Sequence, residues 1–347
     1  MASRKIKVRN IEIGGGAPVS VQSMTNTDTR DAKKTLWQIS RFKDAGCDIV
    51  RLAVPDEEAA RALYEIREGT DMPIVADIHF DYRLALIAAD AGIDKIRINP
   101  GNIGSRERVR AVVRSCAERG IPIRIGVNGG SLEKDILKKY GKVCAEAIVE
   151  SALGHIKMLE DEGFFDIAVS LKSSDVKTTI EAYRLMSRTR DYPLHLGVTE
   201  AGTYEMGIIK SSVGIGSLLC DGIGDTIRVS LTDDPVKEVY AGKNILRAVG
   251  LLHDRPQLVS CPTCGRCRID MIPIAKAVGE ALKEINAPIK VAVMGCAVNG
   301  PGEAREADVG VAGGSGSAVL FKHGEIIRKI PEDKILEELL KEIKAMI

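Results

Sequence analysis

Cys261, Cys264 and Cys267 stand two residues apart from one another in the stretch SCPTCGRC, and Cys296 follows alone in GCAVNGPGE. Thiolates in tight turns bind zinc or iron–sulfur clusters. The second half of this set is not another C-x2-C knuckle. Cys296 comes directly after a strand-like run, and Asn-Gly-Pro-Gly then bends the chain, because glycine admits unusual φ and proline fixes a turn. That bend returns Glu303 toward the cysteine. A hard carboxylate binds iron more weakly than a fourth thiolate would, so it leaves one iron that can be opened. The pattern favours an iron–sulfur cluster. Zinc on four cysteines is the alternative, and Glu303 would then be an ordinary exposed turn acid.

A second set of chemically capable residues lies upstream, in the runs VRLAV, IRIN, IRIGVN, IAVSLK and IRVSLT. Side chains alternate along a strand. Arg51, Arg97, Arg124, Lys172 and Arg228 therefore fall on the face opposite the Val, Ile and Leu of their own runs. If the apolar faces meet covering helices, the cations point inward together. Burying charge without partners costs several kcal/mol or more per ion. Asp77 shares the inward parity, Glu200 ends its strand, and Asp225 is a further possible partner, but these are too few. The reading is a bound polyanion, most simply a phosphate or diphosphate ester, for which bidentate arginine is suited. Asn99, Asn128, Ser170 and Ser230 add neutral donors, and His79 and His195 also point inward by parity. The alternative is a set of structural salt bridges around the rim, or strands facing the other way.

These residues need a scaffold that gathers strand ends. Eight strand-like runs recur between residues 18 and 250: PVSVQSMT, DIVRLAV, PIVADIH, KIRINP, PIRIGVN, DIAVSLK, LHLGVTE and DTIRVSLT. Helical patterns such as DEEAARALYEIREG lie between them, with Gly or Pro at most joints. Eight strand–helix units predict an α/β fold, a (β/α)8 TIM barrel over residues 1–252, rather than an open doubly wound sheet. After HDRPQ the rhythm changes. Residues 257–347 predict a small α+β domain: a strand, the cysteine turn, a helix, a strand into Cys296, a hairpin and a one-sided final helix.

The 347 residues are 45% hydrophobic, with Lys+Arg 49 against Asp+Glu 48. Such a balance gives no bulk attraction to nucleic acid or to a membrane surface. No apolar h-region or long apolar run is present, and the eight cysteines are unevenly spaced, so a soluble cytoplasmic protein without a disulfide framework is expected. Cys47, Cys116, Cys144 and Cys220 read as small core residues.

The strings QSMTNTDTRD, RLAVP, VADIHFDYRLAL, KIRINPGNIG, VSLKSSDV, HLGVTEAG, GIGDTIRVSLT, SCPTCGR and GCAVNGPGEAREAD, in this order over nearly the whole chain, resemble the 4-hydroxy-3-methylbut-2-enyl diphosphate synthase family of the non-mevalonate isoprenoid pathway. The resemblance implies a TIM barrel followed by an iron–sulfur domain of sulfite-reductase-like type. By motif position it implies a [4Fe–4S] cluster on Cys261, Cys264, Cys296 and Glu303. It implies that Arg51, Arg97, Arg124, Lys172 and Arg228 hold a diphosphate with Asn128 and Ser230 beside them, and that Glu200 is an acid near the reacting carbons. It further implies reductive ring opening and dehydration of 2-C-methyl-D-erythritol 2,4-cyclodiphosphate. Ferredoxin or flavodoxin would donate the electrons, and a homodimer would complete each active site across chains. Cys267 departs from that ligand set and could compete with Glu303. Two rival readings are a redox-silent barrel transferase with a structural zinc domain, and an iron–sulfur electron carrier, which would have no use for inward cations.

Overall fold

The computed structural model describes residues 3–296 and 304–347. It separates into two compact units that divide between Leu251 and Leu252.

The first unit opens with a hairpin, β1 (Ile6–Val8) and β2 (Ile11–Ile13), and continues with eight strands: β3 (Ser20–Met24), β4 (Ile49–Ala53), β5 (Ile74–Asp77), β6 (Lys95–Ile98), β7 (Ile123–Asn128), β8 (Ile167–Lys172), β9 (His195–Leu196) and β10 (Thr226–Ile227). The eight pair in parallel in the order β8-β7-β6-β5-β4-β3-β10-β9. A single bridge, Val169 to Leu194, links the two ends of this order and makes a nearly closed barrel. The fold is the (β/α)8 barrel that the eight-run rhythm predicts. Aspartates start several of its helices: Asp31, Asp56, Asp81 and Asp175 each accept a hydrogen bond from a backbone N–H in the first turn. These contacts satisfy donors that the helix itself leaves unpaired.

Two features differ from expectation. Strands β9 and β10 have two residues each, far shorter than LHLGVTE and DTIRVSLT suggest. Beyond them the backbones draw together, so that a Cβ on Gly197 would lie 2.7 Å from the Arg228 carbonyl oxygen. Regular pairing gives way there to a close approach that glycine admits. The second difference is the hairpin β1–β2, which the charged, glycine-rich start of the chain did not suggest. Ile6, Val8 and Ile13 are buried against Ile49, Val75 and Ala168 of the barrel strands. The alternation in IKV and IEI was its signal, over segments of only three residues.

The seam between β8 and β9 lacks a regular ladder and is bridged by one side chain. The buried Tyr183 hydroxyl accepts a hydrogen bond from the Leu171 N–H at 3.0 Å and donates to the His195 carbonyl.

In the second unit, β11 (Gln257–Ser260), β12 (Lys290–Met294) and β13 (Val309–Gly314) run parallel, and β14 (Ser317–Lys322) and β15 (Glu325–Pro331) continue the sheet antiparallel. The helices Met271–Leu282 and Ile335–Lys344 cover one face, with Val278, Leu282, Leu339 and Ile343 packed on Val291, Val293 and Val311. The β14–β15 turn places His323 and Gly324 at positive φ, as tight hairpin turns require.

Replacing Tyr183 with Phe should orphan two buried backbone groups at the seam and cost the barrel roughly 1–3 kcal/mol. Urea unfolding followed through Trp37, the single tryptophan and part of the barrel unit, measures it. An unchanged midpoint would show that the hydroxyl does not hold the seam.

Candidate active site

The registers of the parallel ladders decide which side chains share the lumen. Arg51 lies beside Val75, Asp77 beside Arg97, Arg97 beside Arg124, and Asn128 beside Lys172. The structure brings Arg51, Arg97, Arg124, Lys172 and Arg228 close enough that each acts electrostatically on others of the set. Asp77 is the central acid. Arg97 Nη1 lies 3.1 Å from Asp77 Oδ1, and Arg51 Nε lies 3.8 Å from Oδ2. Burial favours the neutral carboxyl, but Arg51 and Arg97 oppose it and hold Asp77 down at about 2. Arg97 also contacts His79 Nε2 at 3.0 Å and donates to the Gly126 carbonyl at 3.2 Å.

Arg124 is different. Its side chain is wholly buried, and Nε, Nη1 and Nη2 all lack a hydrogen-bond partner among the described residues. Burial lowers its proton affinity, and Arg51 and Arg97 push the same way. A guanidinium nevertheless keeps its charge at neutral pH, because it is by far the most basic of the side chains. Lys172 is buried with its affinity for a proton reduced by burial and then by Arg51 and Arg228. His195 is buried, both ring nitrogens lack a hydrogen-bond partner among the described residues, and burial together with Arg124 and Lys172 keeps it neutral. The Gln22 side-chain amide is likewise buried and without a partner among the described residues. Buried polar groups are nearly always hydrogen-bonded, so this concentration in one lumen marks a site for a polar, negatively charged guest.

Sequence reasoning missed two members. Lys95 has the same parity as Arg97, is almost fully buried, and feels Arg124 and Arg51. Glu238 lies on the helix Val236–Ala248 and reaches in from outside the strands. It accepts from Arg228 Nε and Nη2 at 3.2 Å, from Leu231 N–H at 3.0 Å and from Ser23 Oγ at 3.0 Å. A carboxylate among Val236, Val239 and Gly242 on the buried side of that helix was the available signal. Asp225 requires a correction. It precedes β10 and is occupied by Ser3 Oγ at 2.6 Å and Leu194 N–H at 2.8 Å, so it is no partner of the cations. Ser230 is half-buried just after β10, Asn128 ends β7, and Glu200 is exposed beyond β9.

Glycine positions shape the site. A Cβ on Gly126 would fall 2.3–2.8 Å from the Arg97 guanidinium, and one on Gly197 would fall 3.0 Å from Lys172 Nζ. Glu200 adopts φ of 52°, a left-handed conformation that is uncommon and costly outside glycine.

In the second unit the parallel crossover brings the cysteine segments together. Ser260 pairs with Val293, so Cys261 and Cys296 leave the same ends of adjacent strands. The Gly295 N–H donates to Cys261 Sγ at 3.1 Å. The Arg266 backbone N–H, followed by its side chain, pulls the Cys264 thiol toward thiolate. Cys267 Sγ bonds the Ile269 carbonyl at 3.2 Å, and a Cβ on Gly295 would lie 2.6 Å from it and 3.6 Å from Cys261 Sγ. Among the described residues no three metal-binding side chains converge, and Glu303 lies outside those residues. The donor chemistry, thiols supplied with N–H donors at adjacent strand ends, fits a thiolate-bound group. All eight cysteines are free. Cys47 and Cys116 are core residues as expected, whereas Cys144 is half-buried and Cys220 is exposed at a helix end.

One chain thus joins a barrel whose lumen is lined by cations to an α+β domain rich in thiols. Residues 3–243 match the GcpE TIM-barrel domain, and residues 257–345 match the GcpE protein C-terminal domain. The chain is 61% identical over 344 residues to the 4-hydroxy-3-methylbut-2-en-1-yl diphosphate synthase (flavodoxin) of Clostridium acetobutylicum, covering 99% of each chain. It is 60% identical over 345 residues to the protein of the same name from Caldanaerobacter subterraneus subsp. tengcongensis, covering 99% of this chain and 97% of that one. The chain belongs to the GcpE family of 4-hydroxy-3-methylbut-2-enyl diphosphate synthases. Among solved structures, 7,8-dihydropteroate synthase from Vibrio fischeri shares the fold alone. It has 14% identity and a TM-score of 0.52 over 72% of this chain and 99% of that one. No helix among the described residues is long and apolar enough to cross a membrane.

Gly126→Ala should displace the Arg97 guanidinium without unfolding the barrel. Affinity for inorganic pyrophosphate should fall by about ten- to a hundredfold, the value of one or two hydrogen bonds to a charged group. Calorimetric titration measures it, and full retained affinity would remove Arg97 from the anion site.

Proposed function

We propose that the barrel binds 2-C-methyl-D-erythritol 2,4-cyclodiphosphate and that the protein reduces it to 4-hydroxy-3-methylbut-2-enyl diphosphate, with flavodoxin or ferredoxin supplying two electrons. The observation that carries this reading is Arg124, wholly buried, charged and without a hydrogen-bond partner among the described residues, set between Arg51, Arg97, Lys172 and Arg228. Its donors need an anion with several acceptor oxygens. The name of the relatives supports flavodoxin as the donor.

Cys261, Cys264, Cys296 and Glu303 would hold a [4Fe–4S] cluster. When bound, that group supplies single electrons at the potential the reaction needs. The chain's own residues do the rest. Arg51, Arg97, Arg124, Lys172 and Arg228 fix the diphosphate and stabilise the charge it gains as the ring opens. Asn128 and Ser230 orient the substrate by neutral hydrogen bonds. Glu200, at the exposed end of its strand, donates the proton that lets the hydroxyl leave as water. Its left-handed backbone directs the side chain from a position that the strand alone would not supply. We further infer a homodimer in which the cluster domain of one chain serves the barrel of the other, as the family resemblance implies, and a cytoplasmic location.

Anaerobic preparation should yield about four iron and four sulfide per chain, together with turnover of the cyclic diphosphate. One zinc and no sulfide would favour the redox-silent reading instead. Glu200→Gln should keep diphosphate affinity and lose on the order of a hundredfold in turnover. Mixed with Cys264→Ser chains, it should recover about a quarter of wild-type activity, because each heterodimer carries one intact barrel and cluster pair. No recovery on mixing would place both halves of the site in a single chain.

A further inference from the structure

Lys95 is the buried cation to which the reading above gives no task. Its strand register sets it beside Val75, which packs on the N-terminal hairpin together with Ile49 and Ala168. The lysine therefore stands at the floor of the lumen, with apolar side chains on one side and Arg124 and Arg51 on the other. Arg97 follows it on the same face of β6, two residues nearer the mouth.

The charge inventory of this lumen does not balance. Arg51, Lys95, Arg97, Arg124, Lys172 and Arg228 face two carboxylates, Asp77 and Glu238. Asp77 is shared by Arg51 and Arg97, and Glu238 is taken by Arg228. The other titratable groups are His195, buried and neutral, His79 near Asp77, and Tyr183 behind Arg124. Lys95 has no ion pair with a carboxylate among the described residues, and the charges that act on it are both positive. Arginines cannot relieve this repulsion by losing a proton, but a lysine can. Burial acts in the same direction and is the larger effect on Lys95.

A diphosphate diester reverses the situation. Its two fixed negative charges neutralise the arginines that repel Lys95 and attract the ammonium form. We propose that Lys95 is a proton-accepting residue of the anion site, uncharged in the ligand-free barrel and protonated from solvent when a diphosphate enters. Lys95 thus makes anion binding and proton uptake one event. The inference rests on the diphosphate reading of the lumen. Each proton taken up makes binding about tenfold tighter for each unit by which pH falls, over the range where the free lysine is neutral and the bound one charged.

The test is calorimetric titration of the full-length protein with P1,P2-dimethyl diphosphate, whose charges do not titrate near neutrality. Titration at about pH 8 in buffers of different ionisation enthalpy gives the number of protons taken up. The wild-type protein should take up at least one proton. Lys95→Met and Lys95→Arg should each take up one fewer, the first because the amine is gone and the second because the guanidinium is already charged. The two variants also differ in buried charge, so at least one should keep the fold, which Trp37 fluorescence checks. Binding without proton uptake, or uptake unchanged in both variants, overturns the role of Lys95 and leaves the diphosphate site standing. Failure of the wild-type protein to bind the diester overturns both.

Discussion

The barrel is organised around an unbalanced set of buried charges. Parallel pairing with a two-residue period places one basic side chain after another on the inner face, while Ile, Val and Leu of the same strands pack outward. Few carboxylates answer them. The interior of such a barrel is ordinarily filled by branched apolar side chains, and here that filling is confined to the floor, where Ile6, Val8 and Ile13 meet Ile49, Val75 and Ala168. Above the floor, stability has been given up to a preorganised electrostatic field. That field does not have to reorganise when charge develops on a guest, and that is how a protein site outperforms water.

Much of this was legible in the sequence because parity is a local rule. Arg97 and Asn99 in IRIN, or Arg124 and Asn128 in IRIGVN, can be assigned a face without knowing any partner. Lys95 obeys the same rule, but it opens its strand, where a single position is too little to set the parity. Glu238 was hidden for another reason. It sits on a helix, and no period along β10 reveals that a side chain from the next element turns inward to Arg228. Asp225 reads as a further possible partner of the cations, whereas its position before β10 ties it to Ser3 and Leu194. The hairpin at the start of the chain has strands of three residues, too short for alternation to stand out from chance.

The C-terminal unit solves a different problem by a related device. A helix crossing between β11 and β12 makes those strands parallel and adjacent, so that two cysteine segments about thirty residues apart end side by side. The turn chemistry then supplies backbone N–H groups to sulfur, at Gly295 for Cys261 and at Arg266 for Cys264. Sequence spacing could identify the thiols as a set. It could not show that Cys267 would come to rest against Gly295, because that contact depends on the strand register.

Tyr183 carries an implication for how the cylinder behaves. Seven of the eight junctions between neighbouring staves are ladders, and the eighth is stitched by one bridge, one phenol and, beyond the strand ends, the Thr199 N–H to the Ser173 carbonyl at 3.3 Å. Lys172 ends one stave at this junction and His195 begins the other. Breathing of the wall will concentrate there, where no regular ladder resists it. Amide exchange around Leu171 and Leu196 should then outpace that on the opposite wall, and it should slow once a guest ties Lys172 to the rest of the ring.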